Sequence, residues 1–454
     1  MEMEDEDRRI DLSSLTVVED DEIRMGHGSE DEYDASTDED ECESFTEEEE
    51  GAGDGDAGPP IHFAEDLGSP PESILLDIRG YIDARTNAST ANACLSTGRD
   101  AIRVTFWAAR PPRVSCFTVH CDGVEPNQFR GFPTVLAAAD DLVLLRVPIN
   151  PWQNTFPTRF IMEYYIYQAA GAASTLRLLG VPRHLSCAGI LRLRGGEFMV
   201  ASIEVVEGAD GKRFDLHLFD SRTWTWTSRL MRVDKPKRYL RAGFRPMKVL
   251  AIGGERGSMA WVDLWHGMLF CDLHAVHDDD AMLRYIPLPP SPSTECEGSP
   301  SDVRDIAIVQ GRIKFFEMRF KVKQHAISST TTLVTRYWKA AAWEMEDDPW
   351  HSWLKDCGLD IFKVPVDRPH PELPPRLHDM GKLHGEQPPL SLHEEDVVYI
   401  MAKAKGSDRR AWMLAVDVRK KTLREVAAFD AGRSYNFTYL ESRISNYLRN
   451  QSSM

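Results

Sequence analysis

Cys271, His274 and His277 recur at intervals of three in the stretch WVDLWHGMLFCDLHAVH, residues 261–277, and His266 stands just upstream. Thiolate and imidazole at such spacing are the ligand types of a zinc site. The surrounding residues argue against it. Cys271 sits inside the apolar run GMLFCDL, where a thiol behaves as a small hydrophobe. No Cys-x-x-Cys pair elsewhere in the sequence completes a structural site. On an extended strand Cys271 and His274 project to opposite faces. We therefore expect no metal site and no cofactor here. The stretch reads as a strand pair, with Trp261, Val262 and Leu264 on one strand, a turn at Trp265-His266-Gly267, and Met268–Leu273 on the next.

Other chemistry-bearing groups resolve in a similar way. Cys116, His120 and Cys121 do not make a Cys/His nucleophile, because neighbours on a strand face opposite ways. IGGERGSM (252–259) is glycine-rich but lacks the Gly-Lys-Ser/Thr order of a phosphate cradle, and reads as a turn. WEMEDDPWHSW (343–353) clusters acids with three tryptophans. It lacks the turn glycine of a calcium loop, and a short helix over 348–359 capped by Asp348 is expected. Trp343, Trp350 and Trp353 form a candidate interaction surface, since exposed aromatics anchor recognition. The densest basic cluster, VDKPKRYLR (233–241), adds Lys235, Lys237 and Arg238 to that surface. Trp224 and Trp226 in SRTWTWTSR (221–229) share a strand face and are expected to fill space between sheets. No catalytic residue is assigned.

The elements that must position these residues are short apolar runs broken by turn residues. IRVTFWA (102–108) and VSCFTVHC (114–121) flank ARPPR as a hairpin. Further hairpins turn at Gly195-Gly196, Asp220-Ser221-Arg222, Gln310-Gly311, Gly406-Ser407-Asp408 and Arg419-Lys420-Lys421. Helical periodicity is scarce. The expected fold is all-β: a propeller-like body of antiparallel hairpins over 59–454, with few short helices and space for six to eight four-stranded blades. Two stacked β-domains are the alternative arrangement.

The charge is unevenly distributed. Residues 1–58 hold 25 Asp/Glu against three Arg, a local charge of −22, while the remainder has 50 basic and 47 acidic residues. The near-neutral body provides no net charge to drive nucleic-acid binding. The 1–58 segment, low in apolar residues, is expected to be a disordered acidic tail able to attract a basic partner. Ser29, Ser36, Thr37, Ser44 and Thr46 lie among its acids as candidate phosphorylation sites. No run approaches the length of a membrane helix, and the acidic first residues are the reverse of a signal peptide. The eight scattered cysteines fit reduced thiols. A cytoplasmic or nuclear location without membrane attachment follows as the expectation.

Several phrases resemble a known family: ILLDIRGYIDARTNASTA (74–91), PPRVSCFTVHC (111–121), ADDLVLLRV (139–147), WVDLWHGMLFCDL (261–273) and LRYIPLPP (283–290). Together they look like the plant proteins, expanded in grasses, that carry domain of unknown function 1618. The domain itself is expected over about 261–400. The resemblance implies a plant source and a propeller-like fold similar to regions found behind plant F-boxes; it carries no catalytic residues. The leading expectation is a non-catalytic protein-interaction module with an acidic regulatory tail. A hydrolase-like enzyme with its site in a propeller channel, and an acidic-tail chromatin or histone-binding protein, are the alternatives.

Overall fold

Strands such as LVLLRVPI (142–149) bury both of their faces, and that single property dictates the architecture. A strand apolar on one face needs one neighbouring layer; a strand apolar on both needs two. The computed structural model describes residues 71–448, apart from 150–160, 235–242, 290–298, 327–331, 346–351, 365–370, 374–382, 432–438 and a few shorter stretches. The chain divides into two units, Met1–Glu49 and Glu50–Met454, the first of which lies outside the described residues.

The second unit is built largely from four-stranded antiparallel meanders. The first sheet differs: it contains β1 (Ile74–Asp77), β2 (Tyr81–Ile82), β3 (Ala91–Cys94), β4 (Ala101–Trp107) and β5 (Val114–Cys121), with β1 and β2 both pairing parallel to β5. Next comes β6 (Thr134–Ala139) to β9 (Thr175–Leu179), with β7 Leu142–Ile149 and β8 Ile161–Gln168 between them. The third meander is β10 (Ala188–Arg192), β11 (Phe198–Gly208), β12 (Gly211–Asp220) and β13 (Thr225–Asp234). The fourth is β14 (Lys248–Gly253), β15 (Ser258–Asp263), β16 (Gly267–Asp272) and β17 (Met282–Pro287), joined to the third where β13 and β17 pair in parallel. Then follow β18 (Arg304–Val309), β19 (Arg312–Ala326), β20 (Thr332–Met345) and β21 (Trp353–Asp360). The sixth comprises β22 (His384–Glu386), β23 (Val397–Lys403), β24 (Arg410–Asp417) and β25 (Thr422–Asp430). Finally β26 (Tyr439–Ser442) returns to pair antiparallel with β1 in the first sheet.

Six apolar clusters, one between each successive pair of sheets, hold these layers together. Phe106 and Phe117 of the first sheet pack with Val143, Leu145 and Tyr165 of the second. The other face of β7, Leu142 and Leu144, meets Ile190 and Val200 of the third. Trp261 and Met259 pack back on the third sheet, while Val262 and Ala260 of the same strand pack forward on Phe315 and Ile306. Ile400 and Val398 face Phe316 and Trp338; Tyr399 and Met401 face Leu75, Val114 and Tyr439. The last interface meets the first sheet, so the series closes into a six-bladed, propeller-like body. This is the expected all-β, propeller-like architecture.

Local sequence explains the turns. Gln310 (φ 50°) and Gly311 (φ 83°) adopt the paired left-handed conformation of a tight hairpin turn between β18 and β19. One expectation fails: in the described part of 348–359, Trp353 onward is not helix but strand β21, paired along β20. After β26 comes a single 3-10 turn, Ile444–Asn446.

Candidate functional site

The β19–β20 hairpin is longer than the sheet that contains it. β18 pairs only with Arg312–Glu317, and β21 only with Lys339–Met345. Beyond those limits, from Phe320↔Trp338 to Ala326↔Thr332, the ladder runs on as a two-stranded ribbon about 20 Å long. Among the described residues no further strand pairs with either of its edges. Such edges expose backbone donors and acceptors in the pattern an added strand would fill.

The ribbon is basic. Residues 318–339 contain Arg319, Lys321, Lys323, Arg336 and Lys339 and no acid. With a period of two, Arg319, Lys321, Lys323 and His325 occupy successive positions of one face, and Lys339 lies opposite Arg319 in register.

A buried ion network anchors its base. Arg304 on β18 and Glu317 on β19 are both nearly inaccessible, and the guanidinium donates to Glu317 through two nitrogens, one at 3.1 Å and the other at 2.5 Å. Arg319 takes the second carboxylate oxygen. Arg304 also donates to the Leu264 carbonyl (2.8 Å) and lies over the Trp265 ring at 4.4 Å. Trp265 is held by the turn that Asp263 organises. Asp263 Oδ1 accepts the Trp265 and His266 amides, and Oδ2 accepts the Arg245 amide and faces His266 Nδ1 at 2.9 Å. The aromatic and acidic residues of WVDLWHG therefore lock the fourth blade to the fifth. Lys248, on β14, meets Asp305 at 2.5 Å, and Asp305 accepts the Leu390 amide at 2.9 Å, which extends the polar link to the sixth.

The sequence-derived candidates are scattered. Cys271 is buried on β16, its thiol pushed up to about 12 by burial, while His274 and His277 lie exposed on the 3-10 turn and loop after it. Trp343 is buried against Phe315, 5.6 Å between ring centres, and is not on the surface as expected. Trp353 is half-buried on the same ring, its indole donating to the Pro287 carbonyl at 2.9 Å. These two tryptophans serve the core because β20 and β21 turn them toward the fourth blade. Trp350, Lys235, Lys237 and Arg238 lie outside the described residues, as do Ser29, Ser36, Thr37, Ser44, Thr46 and the whole 1–58 segment. Trp224 and Trp226 pack on Phe219 between the second and third sheets, as expected. Sequence reading missed the ribbon. Its signal, basic residues alternating with apolar ones in RFKVKQH (319–325), was present.

A shallow cleft of about 220 Å³ lies between the Arg110–Arg113 loop and β25, lined by Arg110, Arg113, Glu372 and Glu425 among others. Arg113 pairs with Glu372 at 3.0 Å, and Glu372 also accepts the Ala428 amide at 2.7 Å. The volume is below that usual for small-molecule sites. No helix among the described residues is long and apolar enough to cross a membrane.

Comparison with solved structures finds distant likenesses. Hydrazine synthase of Kuenenia stuttgartiensis is 12% identical, over 77% of this chain and 78% of that one, with a TM-score of 0.30. The mannose phosphorylase MPT-4 of Leishmania mexicana is 11% identical over 82% and 96%, with a TM-score of 0.24. Fructan 1-exohydrolase IIa of Cichorium intybus is 11% identical over 66% and 58%, with a TM-score of 0.26. Curated proteins give no match. The family model described as "Protein of unknown function (DUF1618)" matches residues 261–399, the region that begins at Trp261 and includes the Asp263 turn, the Arg304 network and the ribbon.

Proposed function

We propose that this protein is an interaction module whose β19–β20 ribbon is the docking element. The observation that supports this reading is the ribbon's ladder continuing past both neighbouring strands. An extended, acidic segment of a partner protein suits it: the backbone adds to a free strand edge, and the basic face supplies charge complementarity. The acidic 1–58 segment tunes partner choice by competing for basic surfaces and by attracting basic partners, and phosphorylation among its hydroxyls adjusts that charge. On this reading the protein works in the cytoplasm or nucleus of a plant cell and does not bind nucleic acid directly.

The test is affinity purification with mass spectrometry using the full chain, a chain beginning at residue 59, and the Lys321→Glu/Lys323→Glu variant. A partner set shared by the first two and lost in the third supports ribbon docking. Retention of the same set by the charge-reversed variant rejects it. Core histones bound only by the full chain would move the function to the tail. A hydrolase reading draws on Asp302, whose carboxyl is pushed up to about 6 by burial and by nearby Glu386. Hydrolysis of a glycoside or ester lost in Asp302→Asn would favour it.

A further inference from the structure

We propose that Ser228 and His217, with Glu204 and Asp215 behind them, form an acyl-transfer site for small apolar esters on the face of the third blade. Strand register places all four residues together. Ser202, His217 and Ser228 form one row across β11, β12 and β13, and Glu204, Asp215 and Leu230 form the next row on the same face.

Ser228 is exposed, and its Oγ lies 2.7 Å from His217 Nδ1. The imidazole is only 5% exposed, and its Nε2 faces Glu204 Oε2 at 3.6 Å and Asp215 Oδ2 at 3.7 Å. That nitrogen is buried and makes no hydrogen bond. Two carboxylates opposite Nε2 favour the tautomer with its proton there, which leaves the Nδ1 lone pair to accept the serine hydroxyl. An exposed hydroxyl, a buried base and acids beyond the base is the arrangement that activates a serine. The carboxylates stand just outside hydrogen-bond reach of Nε2 and act on it through their charge.

The surroundings set the substrate class. Trp226 and Leu230 flank Ser228 at i−2 and i+2 on the same face. Leu230 is among the exposed large hydrophobic residues, and Trp226 rests on Phe219 at 5.4 Å. The site therefore takes an ester with a short aliphatic or aryl group. Ser228 Oγ adds to the ester carbonyl carbon as its proton passes to His217 Nδ1. The bond from carbon to the alkoxy oxygen breaks, and the alcohol leaves with the proton from His217. Water then adds to the acyl-serine, gives a proton to the same nitrogen and releases the carboxylic acid, restoring the hydroxyl. Ser228 and His217 are the catalytic residues; Glu204 and Asp215 position the imidazole.

The experiment treats the full chain with an aryl fluorophosphonate, maps the adduct by peptide mass spectrometry, and measures p-nitrophenyl butyrate hydrolysis. The expected result is one adduct, on Ser228, and ester turnover that falls about 100-fold in Ser228→Ala and in His217→Gln. Adduct formation at Ser228 should slow in Glu204→Gln/Asp215→Asn, which alters no buried apolar contact and decides the matter if His217→Gln fails to fold. A folded protein with no adduct on Ser228, or an adduct that forms equally fast without the carboxylates, overturns the proposal. Ribbon docking is unaffected by either outcome.

Discussion

Leu440 lies directly opposite Leu76 across an antiparallel ladder, so the last strand of the body completes the sheet that the first strand begins. Tyr439 and Ile444 on either side of it enter separate apolar clusters, the sixth-to-first and first-to-second interfaces. Deleting residues 439–454 should therefore open the body at two interfaces together. The expected cost is on the order of 5 kcal/mol, from several large apolar groups returned to water. Calorimetry should show a lower and broader transition than the full chain gives.

Arg304 and Glu317 are buried and mutually satisfied, with Trp265 stacked on the guanidinium. Removing one member leaves the other's charge buried with fewer partners. Arg304→Met should cost roughly 3–5 kcal/mol. Urea unfolding of the two single variants and of Arg304→Met/Glu317→Leu should show the double variant less destabilised than the singles sum to. Strict additivity would mean that Arg304 and Glu317 do not stabilise one another.

Glu441 on β26 accepts hydrogen bonds from the Ser73 hydroxyl, the Leu392 amide and the Ser391 hydroxyl at 3.3 Å. Burial outweighs them and pushes its carboxyl up to about 7, against 4.5 in the unfolded chain. The folded state thus holds its proton over a range where the unfolded state has lost it. This group's contribution to stability is complete below about 4.5 and declines as pH rises toward about 7, by roughly 3 kcal/mol at most. Glu441→Gln should flatten the stability profile between these limits, measured by urea midpoints at successive pH values.

Cys187 and Cys271 are buried and their thiols are pushed up to about 12 by desolvation. Cys94 is exposed. Thiol labelling at pH 8 followed by peptide mapping should modify Cys94 while Cys187 and Cys271 stay protected until denaturant is added. Rapid native labelling of Cys271 would contradict its place in the core.

The hairpins were legible because turn chemistry is local. Gln310-Gly311 and Asp220-Ser221-Arg222 announce themselves without reference to anything distant. The strand pair around Trp265-His266-Gly267 was equally readable. Its purpose was not, since Trp265 acquires a role only when Arg304 arrives from another blade. The segment 348–359 misled because its tryptophans and acids fit a capped helix, and only pairing with β20 makes Trp353–Asp360 a strand. The ribbon escaped because strand length beyond a sheet is a property of the neighbours' lengths, not of its own residues. The His217–Ser228 pair escaped because cross-strand register brings together residues eleven apart.

The pairing of β1 with β26 also sets a timetable. Ile74–Asp77 leaves the ribosome long before Tyr439–Ser442 is made. At ordinary elongation rates of about 5–20 residues per second, roughly 20–70 seconds separate the two. For that interval Leu75 and Leu76 have no β26 beside them, and the nascent first sheet is a natural client for a chaperone that holds apolar strands until translation ends.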